Sequence, residues 1–312
     1  MVRAGVTAIA DSRLENIDRL KAGGVDTPFM LVRIPALSAV DHVVESVDSS
    51  LNSELAVLEA LSRAALRRGC IHEVILMVDL GDLREGVWPD DLPTFLAAAI
   101  ELPGIRIKGL GTNLACFRGV IPSEDNMARL VELADGIEQK FRIELELVSG
   151  ANSSGLSLIA AGHMPNRVNH ARIGEAILLG RETTHRDPWP GTYQDAFILH
   201  AEILELKNKP SSPFGELGED AFGGHPGFED RGDILCALLN VGREDVDVHG
   251  IVPIDTRFSI FGASSGYLVI DASRAAEGLQ VGDELMFSVN YSALLAAMTS
   301  EYVKKRSHRR AG

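Results

Sequence analysis

The sequence predicts an α/β protein: a parallel TIM-type barrel of strand and helix units followed by a smaller C-terminal β domain. Short runs of β-branched and aliphatic residues alternate with amphipathic stretches as far as Gly180. Those stretches are long enough to serve as crossover helices, and crossovers make the strands parallel. Beyond Gly180 the helical texture gives way to short alternating strands punctuated by Gly and Pro.

Taken in order, β-type runs cover residues 6–10, 29–34, 42–47, 74–80, 105–110, 143–148 and 168–173. Between them, residues 51–68 repeat Leu51, Leu55, Leu58, Leu61 and Ala65 along one helical face. Residues 126–141 do the same with Met127, Leu130, Leu133 and Ile137. A closed parallel barrel of this kind has eight strands, and these runs number seven. Arg3-Ala4-Gly5 reads as a helix end with its glycine cap just before the first strand, so one strand–helix unit is expected to be missing at the N-terminus. An open seven-stranded sheet, or a barrel closing on seven strands, fits the same pattern. The polar stretch 181–192, with Pro188 and Pro190, marks a boundary. The expected domains are therefore a barrel over 1–190, a β domain over 191–303 and a basic tail over 304–312. Strands of the second domain are expected at 197–206, 234–241, 258–261, 267–270 and 284–289.

The chain of 312 residues is 46% hydrophobic and 24% charged, an ordinary globular balance with room for a sizeable core. Its formal net charge of −14 argues against a nucleic-acid surface and favours small-molecule partners. No run reaches the roughly eighteen apolar residues a membrane span needs, and no signal region opens the chain. A cytoplasmic protein is expected. Cys70, Cys116 and Cys236 lie far apart with no C-x-x-C spacing, so neither a disulfide framework nor a zinc site is suggested.

Active sites of such barrels collect at the C-terminal ends of the strands. Ser149-Gly150-Ala151-Asn152-Ser153-Ser154-Gly155 sits at one such end and reads as an anion cradle: small residues admit a ligand to the backbone, hydroxyl and amide groups donate, and a following helix adds unpaired N–H groups. Arg172-Ile173-Gly174-Glu175 follows one strand later and supplies a second anion-binding turn with a cation beside it. Ser/Gly turns are also ordinary caps, and Arg84 with Asp79 fits a capping or surface ion pair. Cys116 is consistent with simple packing.

These residues resemble the alanine-racemase-like, fold-type III pyridoxal-phosphate enzymes, and within them the branch of ornithine and other basic amino-acid racemases. The motifs carrying the resemblance are Asp11-Ser12-Arg13-Leu14-Glu15-Asn16-Ile17, Val78-Asp79-Leu80-Gly81-Asp82-Leu83-Arg84-Glu85-Gly86 and Gly109-Leu110-Gly111-Thr112-Asn113-Leu114-Ala115-Cys116. To them are added the Ser149 to Gly155 and Arg172 to Glu175 segments, Gly242-Arg243-Glu244-Asp245-Val246-Asp247 and Asn290-Tyr291. The resemblance implies an isomerase that inverts the α-carbon of an amino acid, with pyridoxal 5'-phosphate as cofactor. Ser153, with the backbone of Asn152, Gly174 and Glu175, would hold the cofactor phosphate. Arg172 would face the pyridine nitrogen; an arginine does not give up its proton, which leaves the ring a weaker electron sink and favours proton exchange. Arg84 would lie near the phenolic oxygen or the substrate carboxylate, and Asn113 beside the ring, where alanine racemases usually carry histidine.

The resemblance also implies a Schiff-base lysine at the end of the first barrel strand, and none of Lys21, Lys108, Lys140, Lys207, Lys209, Lys304 and Lys305 sits in a matching motif. Activity of the chain as written is therefore in question, and a non-catalytic, regulatory or degenerate pyridoxal-phosphate protein is the alternative. A Schiff-base aldolase using Lys108 is a third reading. Alanine racemases take a second base, a tyrosine, from the partner's C-terminal domain. The corresponding stretch 215–232 has none, which leaves Asp220 and His225 as candidates, residues that with Asp230 also suit plain turns. A base from the partner implies a homodimer.

Overall fold

A computed structural model describes residues 1–225, 227, 229–275 and 277–308, so residues 309–312 of the basic tail lie outside the described residues. The chain forms two units, Met1–Ile177 with Arg181–Trp189, and Leu178–Gly180 with Pro190–Gly312.

The first unit carries β1 (Ile9–Asp11), α1 (Leu14–Ala22), β2 (Phe29–Leu31), α2 (Val40–Ser46), β3 (Ser49–Asn52), α3 (Leu55–Arg68) and β4 (His72–Met77). It continues with α4 (Leu92–Ala99), β5 (Ile105–Gly111), α5 (Glu124–Phe141), β6 (Leu147–Asn152), α6 (Leu156–Ala160), β7 (His170–Arg172) and α7 (Glu175–Leu179). The seven strands are parallel and lie in sequence order from β1 to β7, curled into a near-closed barrel. Alternate strand residues face two different layers. Leu31, Val74, Leu76, Leu110 and Val148 pack outward against Ile17, Val43, Leu58, Leu96 and Leu130 of the helices. Met30, Leu51, Ile75 and Met77 form a second, inner cluster. Gly109 is required where β5 meets β6, because a Cβ there would lie 2.4 Å from the Leu147 carbonyl oxygen.

Two sequence expectations are corrected. Residues 42–47 are not a strand: 42–46 belong to α2 and Val47 is its extended cap, and the third strand is Ser49–Asn52. Val40, Val43 and Val47 are buried at helical spacing, and Arg67 and Arg68 of α3 reach Asp41 and Glu45, so a tertiary docking face overrode the β propensity of valine. The true β3 is Ser-Ser-Leu-Asn, a strand with a single apolar residue, all four buried. The second correction concerns β6, which begins at Leu147 and runs to Asn152, four residues later than expected. Ser149 is thereby a strand residue and not part of a loop.

Helix ends are closed by local side-chain and glycine caps. α5 starts on a capping box in which Ser123 Oγ accepts from Asn126 N and Asn126 Oδ1 accepts from Ser123 N at 2.8 Å, worth about 1 kcal/mol. The 3-10 turn Val2–Ala4 ends on Gly5 at φ 89, a left-handed cap.

The second unit holds β8 (Ile198–Pro210), β9 (Asp233–Leu239), β10 (Ile251–Pro253), β11 (Ser259–Ala263), β12 (Leu268–Asp271), β13 (Glu284–Val289) and α8 (Tyr291–Thr299). Its strands are antiparallel in the order β10-β13-β8-β9-β12-β11 around Ile203, Leu239, Ile270 and Phe287. β10 and α8 had no counterpart in the sequence reading. No described helix is long and apolar enough to cross a membrane.

Candidate active site at the strand ends

The loop after β4 is built to present Arg84. Asp79 Oδ1 accepts from Gly81 N at 2.8 Å and Leu83 N at 3.1 Å, and Leu83 takes a left-handed φ of 56, a conformation costly for a branched residue. Asp82, almost fully buried, accepts the backbone N–H groups of Cys116, Phe117, Arg118 and Val120 at 3.3, 2.7, 3.2 and 3.2 Å. One carboxylate thus locks the β4 and β5 loops together. The Arg84 guanidinium clasps Glu85 and donates to Cys116 Sγ at 2.8 Å. Burial works against its charge, but the Glu85 carboxylate outweighs it and raises the pKa above the ordinary arginine value.

At the end of β6, Asn152 Nδ2 donates to Asn113 Oδ1 at 3.0 Å and to the Leu114 carbonyl at 2.8 Å, while its Oδ1 accepts from Ser154 N at 2.7 Å. The Asn152 side chain is fully engaged in joining two loops. Ser153 Oγ accepts from Gly174 N at 3.3 Å and Ala176 N at 3.2 Å, so N–H groups at the turn into α7 converge on that hydroxyl. A Cβ at Gly174 would meet nothing within 4 Å, which leaves that face of the turn open. Burial raises the pKa of Glu175; its contact with Arg186 pulls the other way and neighbouring Glu182 adds to the rise.

Arg172 is held without a carboxylate. Its Nη1 donates to Ser149 O at 3.1 Å and to Ser149 Oγ, and its Nη2 donates to Thr112 O at 2.7 Å. Crowding by protein atoms depresses the guanidinium to about 10; Glu85 raises it in part and Arg84 lowers it further. Thr112 Oγ1, buried beside this group, has no hydrogen-bond partner among the described residues. A desolvated cation, a serine hydroxyl and the N–H groups that converge on it thus gather within one ring of strand ends, with no carboxylate among the partners of the cation.

Of the residues expected from sequence, Asn113, Asn152, Ser153, Arg172, Gly174, Glu175 and Arg84 all stand at the ends of β4 to β7. Asp220 and His225 belong to the second unit, in an exposed turn. Asp220 accepts from Phe222 N at 2.9 Å and Gly224 N at 2.8 Å, which holds its pKa below the usual carboxylate value, and His225 Nε2 lies 3.9 Å from Glu219 Oε1. Lys108 Nζ donates to Glu73, which also receives Arg106, so its amine is already committed. Sequence reasoning missed Asp82, Glu85, Thr112 and His170. Only Asp82 and Glu85 carried a signal, as acids inside a Gly-bounded loop after a strand.

A parallel α/β barrel followed by an antiparallel β unit defines the class. The chain belongs to the alanine racemase family: the family model "Alanine racemase, N-terminal domain" matches residues 1–182. It is 46% identical over 301 residues to an ornithine racemase of Acetoanaerobium sticklandii, covering 96% of this chain and 85% of that protein. It is 35% identical to a lysine racemase of Thermotoga maritima, covering 97% and 84%. Among solved structures, alanine racemase of Bartonella henselae with covalently bound pyridoxal phosphate superposes with a TM-score of 0.65 at 18% identity, over 91% of this chain and 77% of that one. D-threonine aldolase of Filomicrobium marinum superposes at 0.68 and 15%, over 95% and 76%. At such identities the likeness is one of fold.

Proposed function

We propose that the protein is an amino-acid racemase that inverts the α-carbon of a basic amino acid such as ornithine or lysine, with pyridoxal 5'-phosphate as cofactor. The observation that carries the reading is Arg172, a desolvated guanidinium with no carboxylate partner, two residues from a turn whose N–H groups converge on Ser153. The donor set fits the cofactor at both ends. Ser153 with the N–H groups around Gly174 and Glu175 suits its phosphate, and Arg172 suits its ring nitrogen as a donor that keeps its own proton. When bound, the cofactor supplies an electron sink that makes the substrate α-proton acidic. Arg84, fixed by Glu85 and the Asp82-anchored loop, orients the substrate carboxylate or the ring oxygen, and Asn113 lines the ring. The reading includes a homodimer in which Asp220 and His225 are the candidate groups for proton transfer on the second face.

The test is a titration of the protein with pyridoxal 5'-phosphate followed by borohydride reduction and peptide mapping. Chiral chromatography of L-ornithine, L-lysine and L-alanine then follows racemisation. Binding with racemisation of a basic amino acid is expected. Binding without racemisation establishes the non-catalytic alternative, cleavage of D-threonine would move the chain to the aldolases of the same fold, and covalent labelling at Lys108 would overturn the racemase reading.

A further inference from the structure

Ser149 faces His170 across the register of β6 and β7, and Arg172 lies two residues beyond His170 on the same strand, hence on the same face. Ser149 is fully buried. Its Oγ receives Arg172 Nη1 on one side and stands 2.7 Å from His170 Nδ1 on the other. Arginine only donates, so the serine oxygen accepts from Arg172. With His170 neutral and protonated on Nε2, the serine hydroxyl donates to Nδ1, and this is the tautomer that a relay from His170 to Arg172 requires. The electrostatics agree, since burial first and the Arg172 and Lys108 charges next hold the imidazole down to about 4.

We infer that His170 and Ser149 form a positioning relay for Arg172, in which the imidazole Nδ1 accepts the serine hydroxyl's hydrogen bond and so turns the serine oxygen toward the guanidinium. The relay holds a cation using neutral acceptors alone: this hydroxyl and the carbonyls of Ser149 and Thr112. A carboxylate in the same place would bind the arginine more tightly but also compensate its charge. With the neutral relay, the Nε–H and the second Nη2–H of Arg172 remain for an acceptor on the ligand, which adds to the partial compensation by the Glu85 charge. Neither His170 nor Ser149 needs to touch the ligand to act.

The inference rests on the reading that Arg172 meets the cofactor ring, and the experiment separates the two. His170→Leu, His170→Asn and Ser149→Ala are titrated with pyridoxal 5'-phosphate alone, reading the dissociation constant from fluorescence and the absorption maximum of the bound cofactor. His170→Leu and Ser149→Ala are expected to weaken binding by about tenfold and to shift the absorption band. His170→Asn, which keeps an acceptor near the Nδ1 position, is expected to restore both to within about threefold of the parent. Equal losses in His170→Asn and His170→Leu, or unchanged binding and spectrum in both, would overturn the relay while leaving the cofactor site standing. If the parent does not bind the cofactor, or Arg172→Ala binds it as well as the parent, the cofactor reading itself fails. Should His170→Leu not fold, Ser149→Ala set against His170→Asn carries the same comparison.

Discussion

Arg172 Nη2 donates to the Thr112 carbonyl oxygen at 2.7 Å, tying the end of β7 to the end of β5 across the strand between them. The guanidinium therefore braces three strands while keeping donors to spare. A lysine carries its three donors on one nitrogen and lacks the planar fork, so even if it met two carbonyls and a hydroxyl it would keep no donor for a ligand. Arg172→Lys is expected to lower pyridoxal-phosphate affinity by roughly ten- to a hundredfold, read by fluorescence titration. An unchanged affinity would remove Arg172 from the site.

Asp82 gathers four backbone N–H groups of the 116–120 segment on one buried carboxylate. Asp82→Ala leaves those donors without an acceptor, at an expected cost of about 2–3 kcal/mol. Urea denaturation measures the loss. Limited proteolysis locates it, with new cleavage expected near Phe117, a residue already exposed in the parent.

His72 makes stability depend on mild acid. It is buried, shares a hydrogen bond with Ser50 Oγ at 2.8 Å, and is held down to about 4, by burial first and against the pull of Glu73 and Asp48. An unfolded imidazole takes its proton near 6.5, the folded one not until about 4. Between those values the unfolded chain binds more protons, so stability is intact above pH 6.5 and falls as the pH drops through the window. The loss approaches about 3 kcal/mol. Urea melts at pH 7 and pH 5 should show it, and His72→Gln should reduce the difference, leaving the share of His170, which is held down to about 4 in the same way.

Asp220 and His225 are open to a clean separation of roles. Asp220→Asn keeps an oxygen for Phe222 N and Gly224 N and so preserves the turn, but removes the ionised carboxylate. If Asp220 transfers a proton, kcat should fall by about 10²–10⁴ with little change in melting temperature. Unchanged kcat in both Asp220→Asn and His225→Gln would confine the pair to turn formation.

Much of the first unit was legible locally. Alternation of apolar runs identified six of its seven strands, and the Gly5 helix end was readable because capping chemistry acts within three or four residues. Ser-Ser-Leu-Asn was not readable as β3. A strand buried on both faces need not carry an apolar run when its polar side chains find partners within the fold: Asn52 Nδ2, Ser50 and His72 are joined by contacts up to twenty-two residues apart, with Asn52 Oδ1 left without a partner among the described residues. Residues 42–47 misled for the converse reason, since valine favours strands until a helix-docking face claims it.

By itself the sequence determined the α/β class, the change of texture beyond Gly180 and the residue types gathered at the strand ends, because periodicity and turn chemistry are written over short spans. Only the tertiary structure decided what Arg172 is bound to. Its partners lie on β5 and β6, sixty and twenty-three residues away, and the lack of a carboxylate among them is a property of how three strands meet rather than of any stretch of chain. For the same reason Ser149, which reads as part of an anion loop, becomes a strand residue whose hydroxyl serves an arginine and a histidine.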